Sequence, residues 1–246
     1  MNYAPGFLFY FLTLLAEIIG TVGGFGSSVF FVPIANHFLS FHQVLGILSL
    51  LHIFSNLSKI VLFRKGFNKS IFLKIGIPSI IFVIIGAYFS KYVNTSIANL
   101  LLGLFLSLFA GLLILKPDFA FKPTLVNAVI GGGLSGGMAG WLGTGGAVRG
   151  LALASFNVQK DTFLATSALI DFMVDLSRFG VYSFQGYLTR DMLWQAPALL
   201  VISFTGSWLG KRLLNHIPQE PFRKLSLWLI LLIGVYSLIQ YFIDRQ

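Results

Sequence analysis

The sequence predicts an all-α polytopic membrane protein with two repeats of four apolar segments. Three observations support this fold class: an apolar composition, a series of eight long apolar segments, and a glycine-rich stretch in each half of the chain. Hydrophobic residues make up 56% of the 246 residues, charged residues make up 10%, and the mean hydropathy is +0.85. Such a chain has too little polar surface to cover a water-soluble domain of this size, so we expect a lipid bilayer around it.

The charge and the cysteine content exclude several functional classes. The chain contains no cysteine, which rules out disulfides and thiolate metal sites. The formal net charge is +9, but the basic residues lie in short loops between apolar segments. This placement is typical of residues that set orientation in a membrane and not of a surface that binds nucleic acid. We therefore expect no nucleic-acid partner.

The eight apolar segments cover residues 6–39, 43–63, 71–90, 97–115, 124–157, 161–184, 192–213 and 222–243. Most of them have the length of about 20 residues that a helix needs to cross the hydrocarbon core. The first and the fifth are longer, and each carries a glycine-rich stretch near its middle: GTVGGFGSSVFFVP at 20–33 and AGWLGTGGAVRGLA at 139–152. Glycine weakens a helix. The sequence therefore predicts a break in each of these two segments.

The two halves of the chain align with each other at an offset of 119 positions. The alignment places glycine on glycine in the two stretches and polar residues on polar residues further on: Gly24 on Gly143, Gly26 on Gly145, His52 on Asp171, Asn56 on Asp175 and Lys59 on Arg178. We interpret this as an internal duplication. The predicted units are a first repeat at 1–115, a linker at 116–123 and a second repeat at 124–246.

The loop charges favour an inverted relationship between the repeats. If all eight segments cross the membrane, the repeats are parallel, and 8 loop Lys and Arg residues on one side face 6 on the other. If the first and fifth segments enter, break at the glycines and return as re-entrant hairpins, each half has three crossings and the division becomes 11 against 3. The larger group is Arg64, Lys65, Lys69, Lys74, Lys116, Lys122, Lys160, Lys211, Arg212, Arg223 and Lys224, and the smaller is Lys91, Arg190 and Arg245. The positive-inside rule prefers this second arrangement, which puts both termini outside the cytoplasm. Eight full transmembrane helices in parallel repeats are the alternative.

The glycine breaks are the first candidate site. A helix break inside a bilayer is tolerated where it faces protein or a watery cavity, and paired breaks in inverted repeats form the substrate site of many secondary transporters. Helix N-termini at such breaks suit an anion. The predicted substrate-binding residues are Gly24, Gly26, Ser27, Ser28, Asn56, Gly143, Thr144, Gly145, Gly146, Arg149 and Arg178. The alternative is that these glycines only let helices pack closely.

Polar residues of the second and sixth segments form the other candidate feature. The spacing i, i+4, i+7, which places side chains on one helix face, occurs in both: His52, Asn56 and Lys59 in one, and Asp171, Asp175 and Arg178 in the other. Charges inside a bilayer are costly and normally face a partner or a cavity, and an imidazole titrates near neutral pH. We expect a proton-coupling role or a structural ion pair for five residues: Glu17, His52, Lys59, Asp171 and Asp175.

The sequence carries no catalytic constellation. It contains no HExxH, GxSxG or Walker motif and no pair of histidines at metal-ligand spacing. We therefore expect a transporter and not an enzyme, with no cofactor and no metal. A permease for a cation or a neutral metabolite, with Asp171, Asp175 and Glu17 as ligands, is one alternative, although Arg149 and Arg178 weigh against it. A non-transporting membrane subunit is the other.

The glycine stretches and the segments around them resemble the TauE/SafE family of sulfite and organosulfonate exporters. The matching stretches are GFGSSVFFVP at 24–33, RKGFN at 64–68, GTGGAVRGLA at 143–152 and SFQGYL at 183–188. The chain departs from the family's glycine run at Ser27, Ser28 and Ala147, and Ala152 stands where proline is common. The resemblance implies a multi-pass protein of a bacterial-type plasma (inner) membrane that exports a small anion such as sulfite, sulfoacetate or a related organosulfur acid.

Overall fold

The computed structural model describes residues 6–118 and 124–243, and within these ranges every regular element is a helix. The eleven helices of this described part are α1 (Phe7–Gly23), α2 (Ser28–Ala35), α3 (Phe41–Leu62), α4 (Lys69–Tyr92), α5 (Thr95–Leu115), α6 (Leu125–Leu142), α7 (Gly146–Ser155), α8 (Lys160–Phe184), α9 (Arg190–Leu193), α10 (Ala196–Leu214) and α11 (Gln219–Ile243). The all-α class predicted from the sequence is confirmed.

Four of these helices are long and apolar enough to cross a membrane by length and composition: α3, α4, α6 and α11. Two shorter apolar stretches are also helical: α1 and the part of α5 from Asn99 to Leu115. Large apolar side chains such as Phe7, Leu108 and Phe184 lie exposed on the outside of the bundle, where a soluble protein would carry polar residues. These features identify a multi-pass membrane protein.

Both overlong apolar segments are broken at their glycines, as the sequence predicts. α1 ends at Gly24, which has a φ of 79°, and α6 ends at Gly143, which has a φ of 78°. Glycine adopts this left-handed conformation without the steric cost that a side chain adds. The amide of Gly24 donates to the carbonyl oxygens of Gly20 and Thr21 and so closes the last turn of α1. The chain then begins α2 at Ser28.

The short helix after each break returns along the helix that precedes it. The ring centroids of Phe9, at the start of α1, and Phe38, beyond α2, are only 5.5 Å apart. In the second half, a methyl group placed on Gly131 of α6 would lie 3.0 Å from Cβ of Ala152 in α7. A chain that continued straight through each break would separate these residues by tens of ångströms, because a helix rises 1.5 Å per residue. The chain therefore reverses its direction at both glycine stretches.

The helices of the two halves pack against each other. α3 packs on α8, α5 on α11, α1 on α10 and α4 on α6. Glycines make the last contact close: a methyl group on Gly132, Gly136 or Gly140 of α6 would collide with backbone carbonyl oxygens of α4. Close packing, which was the alternative interpretation of the glycines, thus describes this glycine row in α6.

Hydrogen bonds connect several basic segments at one end of the bundle. We call this end, where α3, α5 and α10 finish and α8 and α11 begin, the basic end. There the Lys211 ammonium donates to the carbonyl oxygen of Leu62 at 2.7 Å, and the Arg223 guanidinium donates to that of Pro117 at 3.1 Å. Ser90 and Tyr187 meet at the opposite end, with 3.0 Å between their hydroxyl oxygens. Two residues of the loop-charge argument, Lys122 and Arg245, lie outside the described residues, as do positions 119–123 of the predicted linker.

Candidate functional site

The polar faces of α3 and α8 meet in the middle of the bundle. Each of these helices carries apolar residues on its other faces, so the packing of α3 against α8 buries the two polar rows against each other. The polar side chains are almost inaccessible to solvent. Asn56 and Asp175 are both 2% exposed and Arg178 is 1% exposed. Buried charges require partners, and the structure supplies them.

Asp175 is the acceptor at the centre of this cluster. The Asn56 amide donates to its Oδ2 at 2.5 Å, and Nη2 of Arg178 lies 2.7 Å from its Oδ1. Nδ1 of His52 lies 3.6 Å from Oδ2 of Asp175 and 3.2 Å from Nη2 of Arg178. An arginine can only donate hydrogen bonds, so in its contact with Arg178 the Nδ1 atom of His52 is the acceptor.

Arg178 also connects the cluster to the second glycine break. Its Nη1 donates to the carbonyl oxygens of Ala139 and Gly143, each at 3.1 Å. These oxygens belong to the end of α6, where the helix dipole attracts a cation. The Nε of Arg178 is buried without a hydrogen-bond partner among the described residues. One donor of this guanidinium is therefore free to bind a further acceptor.

A second polar group surrounds Glu17 of α1, which is fully buried. The hydroxyl of Ser27 donates to Glu17, and the hydroxyl of Ser55 donates to its Oε2 at 2.5 Å. The Lys59 ammonium lies 3.9 Å from the same oxygen. Oγ of Ser27 also lies 2.9 Å from Nε2 of His52, so this group is hydrogen-bonded to the central cluster.

Arg149 of α7 forms the third group. Its guanidinium pairs with the carboxylate of Asp171, and its Nε donates to Oγ of Ser167 at 2.8 Å. Arg149 is 1% exposed. The sequence predicts that Arg149 binds the substrate. In this structure, however, its Nη atoms and its Nε are bonded to side chains of α8.

The two glycine breaks face one small cavity, which we call the central cavity. Its lining includes residues from both breaks and from the polar faces of α3 and α8: Gly26, Ser28, His52, Asn56, Gly143, Gly145, Gly146, Asp171, Asp175 and Arg178. The volume is about 10 Å³, which is room for one water molecule. A ligand larger than water needs helices or side chains to move before it fits. This central cavity is therefore closed to such a ligand.

The breaks are also in direct contact. A methyl group on Gly146 would collide with the carbonyl oxygen of Phe25, and one on Gly150 would lie 2.8 Å from Cβ of Phe25. Ser28 and Gly146, the first residues of α2 and α7, both line the central cavity. Because the first amides of a helix have no acceptor within that helix, the cavity receives two sets of backbone donors and two positive dipole ends.

Four predicted substrate-binding residues lie outside the lining of the central cavity. Gly24 lines a second cavity of about 10 Å³, together with Lys59 and Asp171. The hydroxyl of Ser27 is directed to Glu17, and Arg149 is paired as described above. Thr144 lines a larger cavity of about 470 Å³ toward the opposite end, and its buried hydroxyl has no partner among the described residues.

The buried charges balance. The three groups contain the carboxylates of Glu17, Asp171 and Asp175 and the cations Lys59, Arg149 and Arg178, each carboxylate with its own cation. With a neutral imidazole at His52, the described core is electrically neutral. Within the described part of the chain, no group of three or more His, Asp or Glu side chains is arranged to hold a metal ion.

Sequence analysis missed the two serines that complete these groups, Ser55 and Ser167. Ser55 lies three residues after His52 and so on the same helix face, which was a usable signal. Ser167 lies four residues before Asp171 and so on the polar face of α8, but the sequence does not show that its partner is Arg149 of another helix.

Comparison with known proteins gives one finding. No curated protein and no solved structure matches the chain. The family model of the sulfite exporter TauE/SafE matches residues 9–237, which covers nearly the whole chain, including both glycine breaks and all three polar groups. A family model that extends over both halves, a helical bundle with apolar spans and a polar centre lead to the same conclusion: the chain belongs to the sulfite exporter TauE/SafE family of membrane transporters.

Proposed function

We propose that this protein is a secondary transporter that exports a small sulfur oxyanion, such as sulfite, sulfoacetate or a related organosulfur acid, across a bacterial-type plasma membrane. The substrate binds in the central cavity, between the two glycine breaks. Because that cavity has a volume of only about 10 Å³, the proposal requires the surrounding helices or side chains to move before the anion binds.

The observation that carries this proposal is the set of donors around the central cavity. The N-termini of α2 and α7 contribute backbone amides, Arg178 contributes a guanidinium with one unpaired N–H, and Asn56 contributes an amide. A tetrahedral or pyramidal oxyanion carries several acceptor oxygens and matches such a set.

The charge balance supports coupling to protons. Each of the three buried carboxylates is paired with one cation, so an added anion brings a negative charge without a partner into a low-dielectric centre, which is expensive. One bound proton removes this penalty. His52 is the favoured position, because a proton on its Nδ1 would displace the Arg178 guanidinium, which lies 3.2 Å away, and would release it to the anion. Glu17 and Asp171 are the other candidates.

The contacts at the ends of the bundle support an inverted arrangement of the two halves. Each glycine-broken segment enters the membrane, turns at its glycines and returns to the side from which it came, and three helices of each half cross. The approach of Phe9 to Phe38 favours this arrangement for the first half. The basic end then faces the cytoplasm, in agreement with the positive-inside rule.

The two rival functions have less support. A cation permease would use Glu17, Asp171 and Asp175 as ligands, but each of these carboxylates already has a cationic partner in the structure. A purely structural subunit has no use for a guanidinium donor buried without a partner beside a cavity.

The experiment is transport into and out of proteoliposomes with sulfite, sulfoacetate, taurine and sulfate. We expect flux with at least one sulfur oxyanion, loss of that flux in Arg178→Gln, and a smaller loss in Arg149→Gln, whose guanidinium does not line the central cavity. Arg190→Gln, at an exposed position of the chain, is the control for the change of charge. Equal flux in wild-type and empty vesicles would contradict the proposed function.

A further inference from the structure

The basic end contains a pocket that the site description leaves unused. Its volume is about 540 Å³, and it is lined by the end of α3, the start of α8 and the end of α10. Among the described lining residues, the basic side chains are Arg64, Lys65, Lys160 and Lys211, against one carboxylate, Asp161.

The cavity at the opposite end has a different charge. It has a similar volume, about 470 Å³, but its described lining contains only neutral polar groups and one histidine beside apolar residues; the polar members are Asn36, His37, Ser40, Asn99, Thr144, Tyr236, Ser237 and Gln240. A field that concentrates anions therefore acts at the basic end and not at the other.

A continuous row of residues leads from the basic pocket to the central cavity. Phe63 and Leu164 line both the basic pocket and the second small cavity. Gly26 and Asp171 line both that cavity and the central one. The basic pocket, the second cavity and the central cavity are thus neighbours in that order, and Phe63 and Leu164 stand between the first two.

Helix geometry explains why the row follows α3 and α8. On α3, Asn56 lines the central cavity, Lys59 the second one, and Phe63 follows at the end of the helix. Their spacing keeps them on one face. On α8 the lining residues also share one face, but the chain runs the other way: Leu164 lines the second cavity, and Asp175, further along the chain, lines the central one.

Lys211 links the charge of the pocket to Phe63. Its ammonium lies 5.9 Å from the ring centroid of Phe63 and donates to the carbonyl oxygen of Leu62 at 2.7 Å. An anion bound at Lys211 competes for the ammonium group and weakens the cation–π contact that helps to fix the Phe63 ring.

We propose that the basic pocket is the entry site at which the transported anion is first captured, and that Phe63 and Leu164 form the gate between this site and the central cavity. This inference rests on the proposed anion transport. It adds a second binding site for a small oxyanion, about 540 Å³ in volume, whose occupation precedes entry to the centre.

The test uses the absence of cysteine from the chain, because one introduced cysteine is then the only thiol. Asn215→Cys places it in the pocket and Ala168→Cys places it behind the gate. Each variant is labelled with a methanethiosulfonate that carries either a sulfonate or a trimethylammonium group, and each rate is divided by the rate with a small thiol in solution.

At Asn215→Cys we expect the anionic reagent to be favoured by roughly tenfold at low salt. We expect this preference to shrink in 1 M salt and in the Arg64→Gln/Lys65→Gln variant. Lys224→Gln removes a charge at the same end outside the pocket and should leave the preference unchanged. At Ala168→Cys, labelling should be slow and should accelerate in Phe63→Ala and Leu164→Ala but not in Phe67→Ala. No preference for the anion, or no acceleration in either gate variant, would overturn the inference.

Transport supplies the second readout. With sulfite added on the face of the basic end, we expect Arg64→Gln/Lys65→Gln to raise its half-saturating concentration by roughly tenfold and to leave the maximal rate unchanged. An unchanged half-saturating concentration would overturn the entry role even if the pocket attracts the anionic reagent. Absence of sulfur-oxyanion flux in the wild type would instead contradict the proposed function, while the labelling rates would still decide whether the pocket and its gate exist.

Discussion

Asn56 and Asp175, which occupy the same position in the two aligned halves of the chain, are hydrogen-bonded to each other at 2.5 Å in the bundle centre. Equivalent residues of two repeats touch only where they lie next to the axis that relates the repeats. If the halves are related by a two-fold axis, as we propose, it passes between these two side chains and through the central cavity. On such an axis both halves contribute the same position to a single site, here with different chemistry, an amide on one side and a carboxylate on the other.

This relationship predicts the effect of exchanging the two groups. Asn56→Asp places two carboxylates in hydrogen-bond contact with only Arg178 to balance them, so we expect loss of transport and lower thermal stability. The double variant Asn56→Asp/Asp175→Asn restores one amide and one carboxylate and should recover part of both. A double-mutant cycle on unfolding free energy and flux measures the coupling. Additive losses in the double variant would show that the contact has no functional role.

Arg178 is predicted to require the several N–H donors of its planar guanidinium group and not only a positive charge. The guanidinium contacts Asp175, His52 and two carbonyl oxygens at the end of α6, which a lysine ammonium cannot reach together. We expect Arg178→Lys to lose substrate binding and to lower the unfolding free energy by about 1–3 kcal/mol, because the charge is kept but buried acceptors lose their hydrogen bonds. Isotherms of substrate binding and thermal unfolding in detergent measure both. Arg190→Lys, at an exposed position, is the control and should change neither quantity. If Arg178→Lys bound the substrate as tightly as the wild type, the guanidinium geometry would not be required.

Sequence patterns predicted those parts of the protein that depend on local spacing. The helical class followed from the apolar composition and the lengths of the apolar segments and is confirmed. The glycine stretches do interrupt their helices, because glycine adopts the left-handed backbone seen at Gly24 and Gly143 without steric cost. Partners across helices were harder to predict. The i, i+3 spacing of Asp175 and Arg178 is compatible with their ion pair, but nothing in the spacing of Arg149 shows that Asp171 of another helix will neutralise it.

The substrate roles assigned to individual residues stay predictions, and the structure makes them more specific. Sequence spacing fixes which face of its own helix a side chain occupies, but not which neighbour covers that face. For this reason Ser28 and Thr144, both chosen for their place in the glycine stretches, line different cavities. The volume of the central cavity, which depends on the packing of six or more elements, had no signal in the sequence.

His52 is predicted to make transport depend on pH. Since anion binding in a core without net charge requires a proton, affinity should rise as the pH of the assay falls across the near-neutral range. The groups that face His52 are Ser27 from the first break and Asp175 and Arg178 from α8. His52→Asn should abolish the pH dependence of the half-saturating concentration, measured with a sulfonate whose charge is constant in this range.

The control for this prediction is His37→Asn. His37 lines the cavity toward the opposite end and has no contact with the three buried charge groups, so its replacement should leave the pH dependence intact. An undiminished pH dependence in His52→Asn would assign the proton to Glu17 or Asp171, and the same measurement on Glu17→Gln and Asp171→Asn would decide between them. No effect in any of the three variants would contradict proton coupling.

The contact between the two breaks predicts a steric effect at Gly146. The φ of residues at a helix start suits alanine, so backbone strain is not the issue, but an added methyl group collides with the carbonyl oxygen of Phe25. We expect Gly146→Ala to lower stability by about 1–3 kcal/mol through overpacking and to reduce transport further by pushing the breaks apart. Gly137→Ala, in open space on α6, should be neutral or stabilising by less than about 1 kcal/mol. Equal behaviour of the two variants would contradict the close approach of the breaks.

The orientation of the chain is the last prediction, and it tests the inverted arrangement as a whole. If the two broken segments return to the side from which they came, an odd number of crossings, three, separates residue 6 from the loop at 116–118, and three more separate that loop from residue 243. Both termini then lie outside the cytoplasm, and the loops at 63–68, 116–118 and 156–159 lie inside, with most of the loop arginines and lysines. Reporter fusions that are active on only one side of the membrane, placed at each terminus and after Lys116, measure this directly. Eight full crossings in parallel repeats give the same side for all three positions, because four crossings separate the N-terminus from Lys116 and four more separate Lys116 from the C-terminus. The fusion after Lys116 therefore separates the two topologies. If its reporter lies on the opposite side of the membrane from both termini, the inverted repeat is supported. If all three reporters lie on the same side, the inverted repeat is ruled out, and so is the proposal that the two breaks form a single substrate site.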